Sequence, residues 1–322
     1  MKVLSRLNSA FQYWGTRAMI RFILAIPYPA ALTLGRSIGA IIWAFMPMRR
    51  RIVKIQMSSA FGTGMENLRR LVLKVFMNQG VILVDMVRYA FLSDDQIRKT
   101  IVVEGKEHLD EARATGRGLM LITGHIGNWE ILSHLSRLLG IEFCVMADVR
   151  KDPRLESVAD GIRARSGATI LPPRGKALML IRELKRGRTI GMVVDQRGKF
   201  KDHLLCTVFG LPAITNPAPS FIAIKGNALV LPVYAVKKDR TYHICFSRAV
   251  NAADFGDGKE AIQTLSDFMQ SWVASVVEKY PDQWFWLHSR WVRRRHFQKT
   301  IKTVDDFRRF VLSLAGFAGE DE

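Results

Sequence analysis

The chain has 322 residues, 48% of them apolar, enough for one large domain or one domain with a small accessory unit. Its 48 lysines and arginines against 29 acidic residues leave a net charge of +19 and a pI near 10.2, a balance that draws nucleic acid, an anionic membrane face, or acidic carriers and phosphorylated substrates. The cysteines Cys144, Cys206 and Cys245 are widely spaced, odd in number and set in apolar runs, which excludes a disulfide framework or a metal cluster and leaves packed, reduced thiols.

From Phe22 to Met48 the chain reads FILAIPYPAALTLGRSIGAIIWAFMPM, with Arg36 as its only charge. A bilayer core of about 30 Å takes roughly 20 apolar residues to cross, so the length suffices. Pro27, Pro29 and Arg36 interrupt the run, however, and leave each half too short to span alone. A single crossing, an in-plane monotopic segment and a core helix of a soluble domain all stay open. The cluster RRRIVK at residues 49–54 favours the cytoplasmic side and anionic lipid. No small-residue cleavage site follows a short apolar stretch, so a removed signal peptide is not expected.

Residues 50–100 read as helices, because Leu71, Val72, Val75 and Phe76, then Val81, Leu83, Val84 and Met86, recur at helical spacing. From about residue 101 short β-rich runs alternate with amphipathic helices. The runs are IVVEG (101–105), GLMLIT (118–123), IEFCVMA (141–147), ATIL (168–171), TIGMVVD (189–195), ALVLPVYAV (228–236) and TYHICFSRA (241–249). Helical stretches such as ILSHLSRLL, RLESVADGIRARS, GKALMLIRELKRG and PAPSFIAIK lie between them, and further helices are predicted at 259–280 and 303–315. This alternation predicts an α/β fold: a mixed, mostly parallel sheet covered by helices, with an N-terminal membrane-associated helical segment. The last two strands follow closely enough to form an antiparallel hairpin at one edge. The expected organisation is a membrane-associated segment with its basic flank at 1–55, an α/β domain at 56–300, and a C-terminal helix with an acidic tail at 301–322.

The stretch GHIGNWE (124–130) joins the apolar run GLMLIT to the helical ILSHLSRLL. Residues five apart diverge by about 140° on an ideal helix, so His125 and Glu130 meet only if His125 lies off it. Gly124 and Gly127 supply the freedom for a sharp turn at the strand's end. Asn128 then suits the N-cap, which puts Glu130 in the first helical turn, where the dipole favours an ionised carboxylate. A carboxylate beside an imidazole fixes its tautomer and raises its basicity, as proton abstraction requires. Amides of the Gly127–Asn128 turn are candidate oxyanion donors. The plain alternative is a turn histidine beside a capped helix; the glycines, the strand before and the helix after favour chemistry. His134, on the same helix, reads as a packed or surface residue.

At this point the chain resembles a known family. G-H-x-G-N-W-E is similar to the H-x4-D/E motif of membrane-associated glycerolipid acyltransferases, and its Glu version resembles the bacterial late acyltransferases of lipid A biosynthesis. The likeness continues in MRRRIVKIQMSSAF, in GMVVDQRGK, in TVFGLPAITNPAPSFIAIKGNALVLPVY and in YPDQWFWLHSRW, in the family's order. Departures are His288-Ser289-Arg290, which keeps one basic residue where two are usual, Ala147-Asp148 in place of an aromatic–Arg pair, and the basic tail after Trp291.

The resemblance implies an O-acyltransferase that moves a fatty chain from an acyl carrier protein or coenzyme A thioester to a hydroxyl of a lipid A precursor. His125 would be the base and Glu130 its orienting partner. Asn128, Arg163, Asp195, Gln196, Phe209, Gly210 and Arg290 are the implied substrate-binding residues. Arg163 is the candidate phosphate clamp. Asp195 stands for either substrate contact or an ion pair, Phe209 and Gly210 for an acyl groove or a turn, and Arg290 for anion binding. No G-x-S-x-G elbow is present and none of the cysteines lies in an electropositive turn, so direct attack by the acceptor hydroxyl is expected, with no cofactor and no metal. The implied partners are the thioester donor, a phosphorylated glycolipid and an anionic membrane surface, but no nucleic acid, and the implied place is the cytoplasmic face of a bacterial inner membrane. Within the class, another glycolipid or a lysophospholipid is the competing acceptor. A metal-dependent hydrolase using His125, Glu130 and Asp195 would have too few nitrogen or sulfur ligands for a firm zinc site. A non-catalytic anionic-membrane binder remains the alternative of a different class.

Overall fold

The computed structural model describes residues 2–62, 66–146, 157–158, 161–162, 164–171, 176–198 and 203–317. Prolines punctuate the N-terminal third. Helix α1 (Lys2–Ala25) stops just before Pro27, α2 (Tyr28–Phe45) carries a proline in its first turn, and Pro47 opens α3 (Pro47–Phe61), all places where the missing N–H costs nothing. α2 and α3 meet at a bend of 95°; among the described residues no single helix is long and apolar enough to cross a membrane, and only this bent pair passes by length and composition.

Helix α4 (Leu68–Tyr89) crosses α2 at backbone contact. A Cβ on Gly80 would sit 1.9 Å from the Gly35 carbonyl oxygen, and one on Gly39 would sit 2.2 Å from that of Phe76. Glycine is required here for close approach, the small-xxx-small logic of tightly crossing helices. The buried Asp85 carboxylate of α4 accepts hydrogen bonds from Tyr28 (3.0 Å), Lys237 (2.5 Å) and Tyr242 (2.7 Å), tying α2 and α4 to two sheet strands.

A short helix, α5 (Asp94–Thr100), opens with a capping box from Ser93 and Gln96. Then follow β1 (Ile101–Glu104), α6 (Lys106–Ala114), β2 (Leu119–Thr123), a 3-10 turn (Trp129–His134), α7 (Leu135–Leu139), β3 (Phe143–Met146), β4 (Thr169–Leu171), α8 (Lys176–Lys185) and β5 (Thr189–Val193). The chain continues through β6 (Leu204–Val208), β7 (Leu211–Thr215), α9 (Ala218–Lys225), β8 (Leu229–Lys238), β9 (Thr241–Phe246) and β10 (Val250–Asn251), and closes with α10 (Gly258–Lys279), α11 (Arg294–Lys299) and α12 (Val304–Phe317).

The main sheet runs β1-β9-β8-β2-β5-β3-β4, with β10 antiparallel on β8. Only β8–β9 is antiparallel along that path; the other pairings are parallel. All seven runs predicted as strands are strands, and the fold is the mixed, mostly parallel α/β sheet expected. The β8–β9 hairpin forms as predicted but not at an edge, because β1 adds in parallel outside β9. Consecutive β2 residues face opposite ways: Met120 and Ile122 enter one core with α3, α4, α8 and α10, and Leu119 and Leu121 enter the other with α6 and α7. α3 runs through position 55 into the first of these cores, and Phe307 and Val311 of α12 are buried in it.

The β6–β7 hairpin was not predicted. Its two-residue turn, Phe209-Gly210, has φ of 51° and 70°, a type I′ geometry that asparagine or aspartate usually opens. Phe209 tolerates the positive φ while its ring packs on Phe61, Trp284, Trp286 and Trp291. Phe209 and Gly210 therefore make a turn, the second of the two readings.

Candidate active site

Parallel pairing of β2 with β5 runs in register from Leu119↔Thr189 to Thr123↔Val193. The residues just past both strand ends, His125 and Asp195, thus emerge side by side at the carboxyl edge of the sheet, where open α/β folds bind ligands. Asp195 Oδ1 lies 2.7 Å from His125 Nδ1. Its Oδ2 accepts from the His125 backbone N–H at 2.7 Å and from the Trp284 indole at 2.6 Å. A fully buried carboxylate needs such partners to stay charged. Burial pushes its pKa up, but the His125 imidazole, the bond to it, His288 and the Trp284 indole outweigh that and hold the carboxyl well below its usual range. For His125 burial likewise acts first and lowers the pKa, while Asp195 and then Glu130 raise it above the ordinary value.

With Nδ1–H donated to Asp195, the lone pair of His125 sits on Nε2. The Gln196 amide nitrogen lies 3.1 Å from it, on an exposed side chain. The ring is walled by Trp129 (4.7 Å between centroids), Phe285 (6.3 Å) and His288 (6.3 Å). The site is a buried acid–imidazole pair with its basic nitrogen at the rim.

The carboxylate bonded to the imidazole is Asp195, where Glu130 was expected. Glu130 does sit in the first turn of the helical segment, but its carboxylate makes no hydrogen bond or ion pair among the described residues and reaches His125 only as a field. The turn explains why. Gly127, at φ +53°, packs so closely on β8 that a Cβ would fall 2.0 Å from the Ala235 oxygen, and the segment that follows is a 3-10 helix. The expected oxyanion donors are also engaged elsewhere: Gly127 N–H donates to Gln283 O (2.8 Å) and Asn128 N–H to Ala235 O (3.1 Å).

Asn128 occupies the N-cap position without capping; its amide is buried, and neither Oδ1 nor Nδ2 has a partner among the described residues. With Glu130, Ser133 and His134 it lines a recess of about 20 Å³, far too small for a fatty chain. His134 is a packed residue, its pKa pushed down to about 4 first by burial and then by Arg137. Arg290 is 1% exposed and donates to Ile214 O (2.8 Å), Thr215 Oγ1 (2.7 Å) and Gln270 Oε1 (3.0 Å), so its guanidinium braces β7 against α10 where anion binding was expected. Arg163, Ala147 and Asp148 lie outside the described residues.

Arg290 was the one site residue expected from YPDQWFWLHSRW, yet the segment forms the site's rear wall. Phe285 N–H donates to His125 O (2.9 Å), and the Gln283 amide pairs with Lys237 N and O at 2.9 Å each. Gln56 of α3 donates to Trp286 O (3.0 Å) and His288 O (3.2 Å). The buried His288 Nε2 has no partner among the described residues, and burial lowers that ring's pKa. The order Trp–x–Trp–x–His was the available signal, because indole donors in a buried run need acceptors.

A His–Asp pair at the carboxyl edge of an α/β sheet is an arrangement suited to general-base chemistry, as transferases and hydrolases use it. Residues 2–293 match the bacterial lipid A biosynthesis acyltransferase family. The chain is 23% identical over 292 residues to the lipid A biosynthesis palmitoleoyltransferase of Escherichia coli (strain K12), covering 88% of this chain and 92% of that protein. It is 24% identical over 292 residues to the lauroyltransferase of the same strain, covering 88% and 93%. A phosphatidylinositol mannoside acyltransferase of Mycobacterium tuberculosis (strain H37Rv) is 24% identical over 194 residues, 59% of this chain and 60% of that one. The chain belongs to the bacterial lipid A biosynthesis acyltransferase family and is an O-acyltransferase.

Proposed function

We propose that this enzyme moves a fatty acyl chain from an acyl carrier protein or coenzyme A thioester to a hydroxyl of a phosphorylated lipid A precursor, at the cytoplasmic face of a bacterial inner membrane. The observation that carries the chemistry is the 2.7 Å pairing of Asp195 with His125 Nδ1, which leaves Nε2 as the base. Gln196 holds the position at Nε2 that the acceptor hydroxyl takes over on binding. Nε2 removes the hydroxyl proton as the oxygen attacks the thioester carbon. The C–O bond forms, the C–S bond breaks, and the proton passes from His125 to the departing thiolate. Asp195 orients the ring and stabilises the imidazolium by contact, and Glu130 adds to that stabilisation through its field. With the Gly127 and Asn128 amides engaged, the Gln196 amide is the proposed oxyanion donor, a role worth about 10²–10³-fold in rate.

Membrane association rests on the N-terminal helices, where Trp14, Phe22, Ile41, Phe45 and Met46 are exposed beside Arg50, Arg69 and Arg70. The test is purified enzyme supplied with acyl carrier protein or coenzyme A donors and a panel of acceptors, with products read by mass spectrometry. Acylation of the lipid A precursor is expected. Similarity to the mannoside acyltransferase favours a different phosphorylated glycolipid as the second reading. A chain gained only by such a glycolipid, or only by a lysophospholipid, would overturn the lipid A assignment.

A further inference from the structure

A cavity of about 310 Å³ is lined by Arg197, the residue after Gln196, and by Arg293, Arg295 and His296 at the start of α11. Among the described residues no carboxylate forms an ion pair with any of these arginines. Two of its lining residues, Arg197 and the fully buried Trp291, carry a buried Nε–H and indole N–H that have no acceptor among the described residues. Arg293 and Arg295 are exposed and Arg197 is half-buried, so water can solvate their charges; it is the convergence of three guanidiniums on one cavity, beside N–H groups that lack acceptors, that points to an anion. The backbone under Arg197 is fixed: it bridges Thr215, and Gly198 N–H donates to Ile214 O at 3.0 Å. The opposite wall is apolar, built from Phe310 and Leu314 of α12. Much of the cavity, including Arg295, His296 and α12, lies beyond the residues that match the family.

We propose that this cavity is a phosphate-binding subsite that seats a phosphate of one of the two substrates while the apolar wall covers the adjoining non-polar part. The inference rests on the acyltransferase reading for the identity of the substrates, but not for the binding of phosphate. Two substrates carry this chemistry: the phosphorylated glycolipid acceptor, and the donor, whose acyl chain hangs on a phosphate-linked arm. Guanidinium–phosphate pairs are bidentate and strong, so three arginines suit a mono- or diphosphate better than a carboxylate. The cavity's own groups agree. Burial, and then Arg295, Arg197, Arg293 and Lys299, lowers the His296 pKa, and a bound dianion would lift it.

The first arm of the test uses inorganic pyrophosphate and full-length protein with isotope-labelled histidine. Pyrophosphate should raise the titration midpoint of His296 in the wild type and leave it unmoved in Arg293→Ala/Arg295→Ala. No movement in the wild type, or equal movement in both proteins, overturns the proposal whether or not the enzyme turns over. The second arm compares KM for acceptors with and without their phosphates, and for each donor. The double variant should raise KM for the phosphate-bearing acceptor, or for the donor, by about tenfold or more, with kcat within about twofold and Arg293→Lys/Arg295→Lys recovering part of the loss. A rise on the acceptor side or on the donor side identifies the source. Pyrophosphate binding with neither KM changed would overturn the substrate role, and a wild type inactive on every acceptor would overturn the acyltransfer reading alone.

Discussion

At the scale of the residue, the ionisation of His125 is set by a contest between burial and two carboxylates, Asp195 in contact with the ring and Glu130 through its field. Because Asp195 prevails, the folded imidazole protonates above its ordinary value, and a base works only when deprotonated. kcat/KM should therefore fall as pH drops through that raised pKa. In Asp195→Asn burial is opposed only by the weaker field of Glu130, so the acid limb of the profile should move to lower pH while the plateau collapses. An acid limb unmoved by the substitution would mean that another group titrates. His125 was legible in the sequence from its glycine-flanked turn, and Asp195 from its place at a strand end. Their pairing was not legible, since 70 residues separate them and only the neighbouring positions of β2 and β5 join them. Glu130 was near in sequence, but nearness does not make a contact: the tight Gly127 turn and the 3-10 segment leave its carboxylate without a bond to the ring.

At the scale of the element, runs of apolar residues were enough to locate the main strands, because a strand buried on both faces has little else in it. Strand order was not available from those runs, which is why β1 outside β9 was unforeseen. The β6–β7 hairpin escaped because its turn opens on phenylalanine, a residue chosen by the tryptophans it touches. The α2–α4 crossing depends on glycine, and that dependence is testable. Gly80→Ala forces a Cβ against the Gly35 carbonyl and should destabilise the fold by about 1–3 kcal/mol, read as a lower Tm in detergent. Gly15→Ala, a helical position with nothing within 4 Å, should be neutral or stabilising by up to about 1 kcal/mol. Equal Tm for the two variants would refute the close-packed crossing.

At the scale of the whole molecule, the N-terminal helices leave Trp14, Phe22, Ile41, Phe45 and Met46 exposed, and the net charge is +19. The polar cluster around Asp85 ties α2 and α4 to the sheet, so a membrane docked on these helices would hold the site at a fixed height. Purified protein should float with vesicles containing anionic lipid, less so at high salt, as a screened electrostatic term requires. Ile41→Glu with Phe45→Glu should weaken flotation several-fold without lowering Tm, because both side chains are exposed. Flotation unaffected by that pair would place the membrane contact elsewhere. The sequence disclosed the apolar run and its basic flank. It did not disclose the 95° bend, since prolines mark where helices stop and not the angle at which the next one leaves.

The most direct test of the account is the turnover of Asp195→Asn set against Glu130→Gln in folded, purified protein. An orienting carboxylate in contact with the base predicts a loss of about 10⁴-fold for Asp195→Asn, and a carboxylate acting only through its field predicts about 10²-fold or less for Glu130→Gln. The reverse ranking, or an Asp195→Asn enzyme of near wild-type rate, would contradict it.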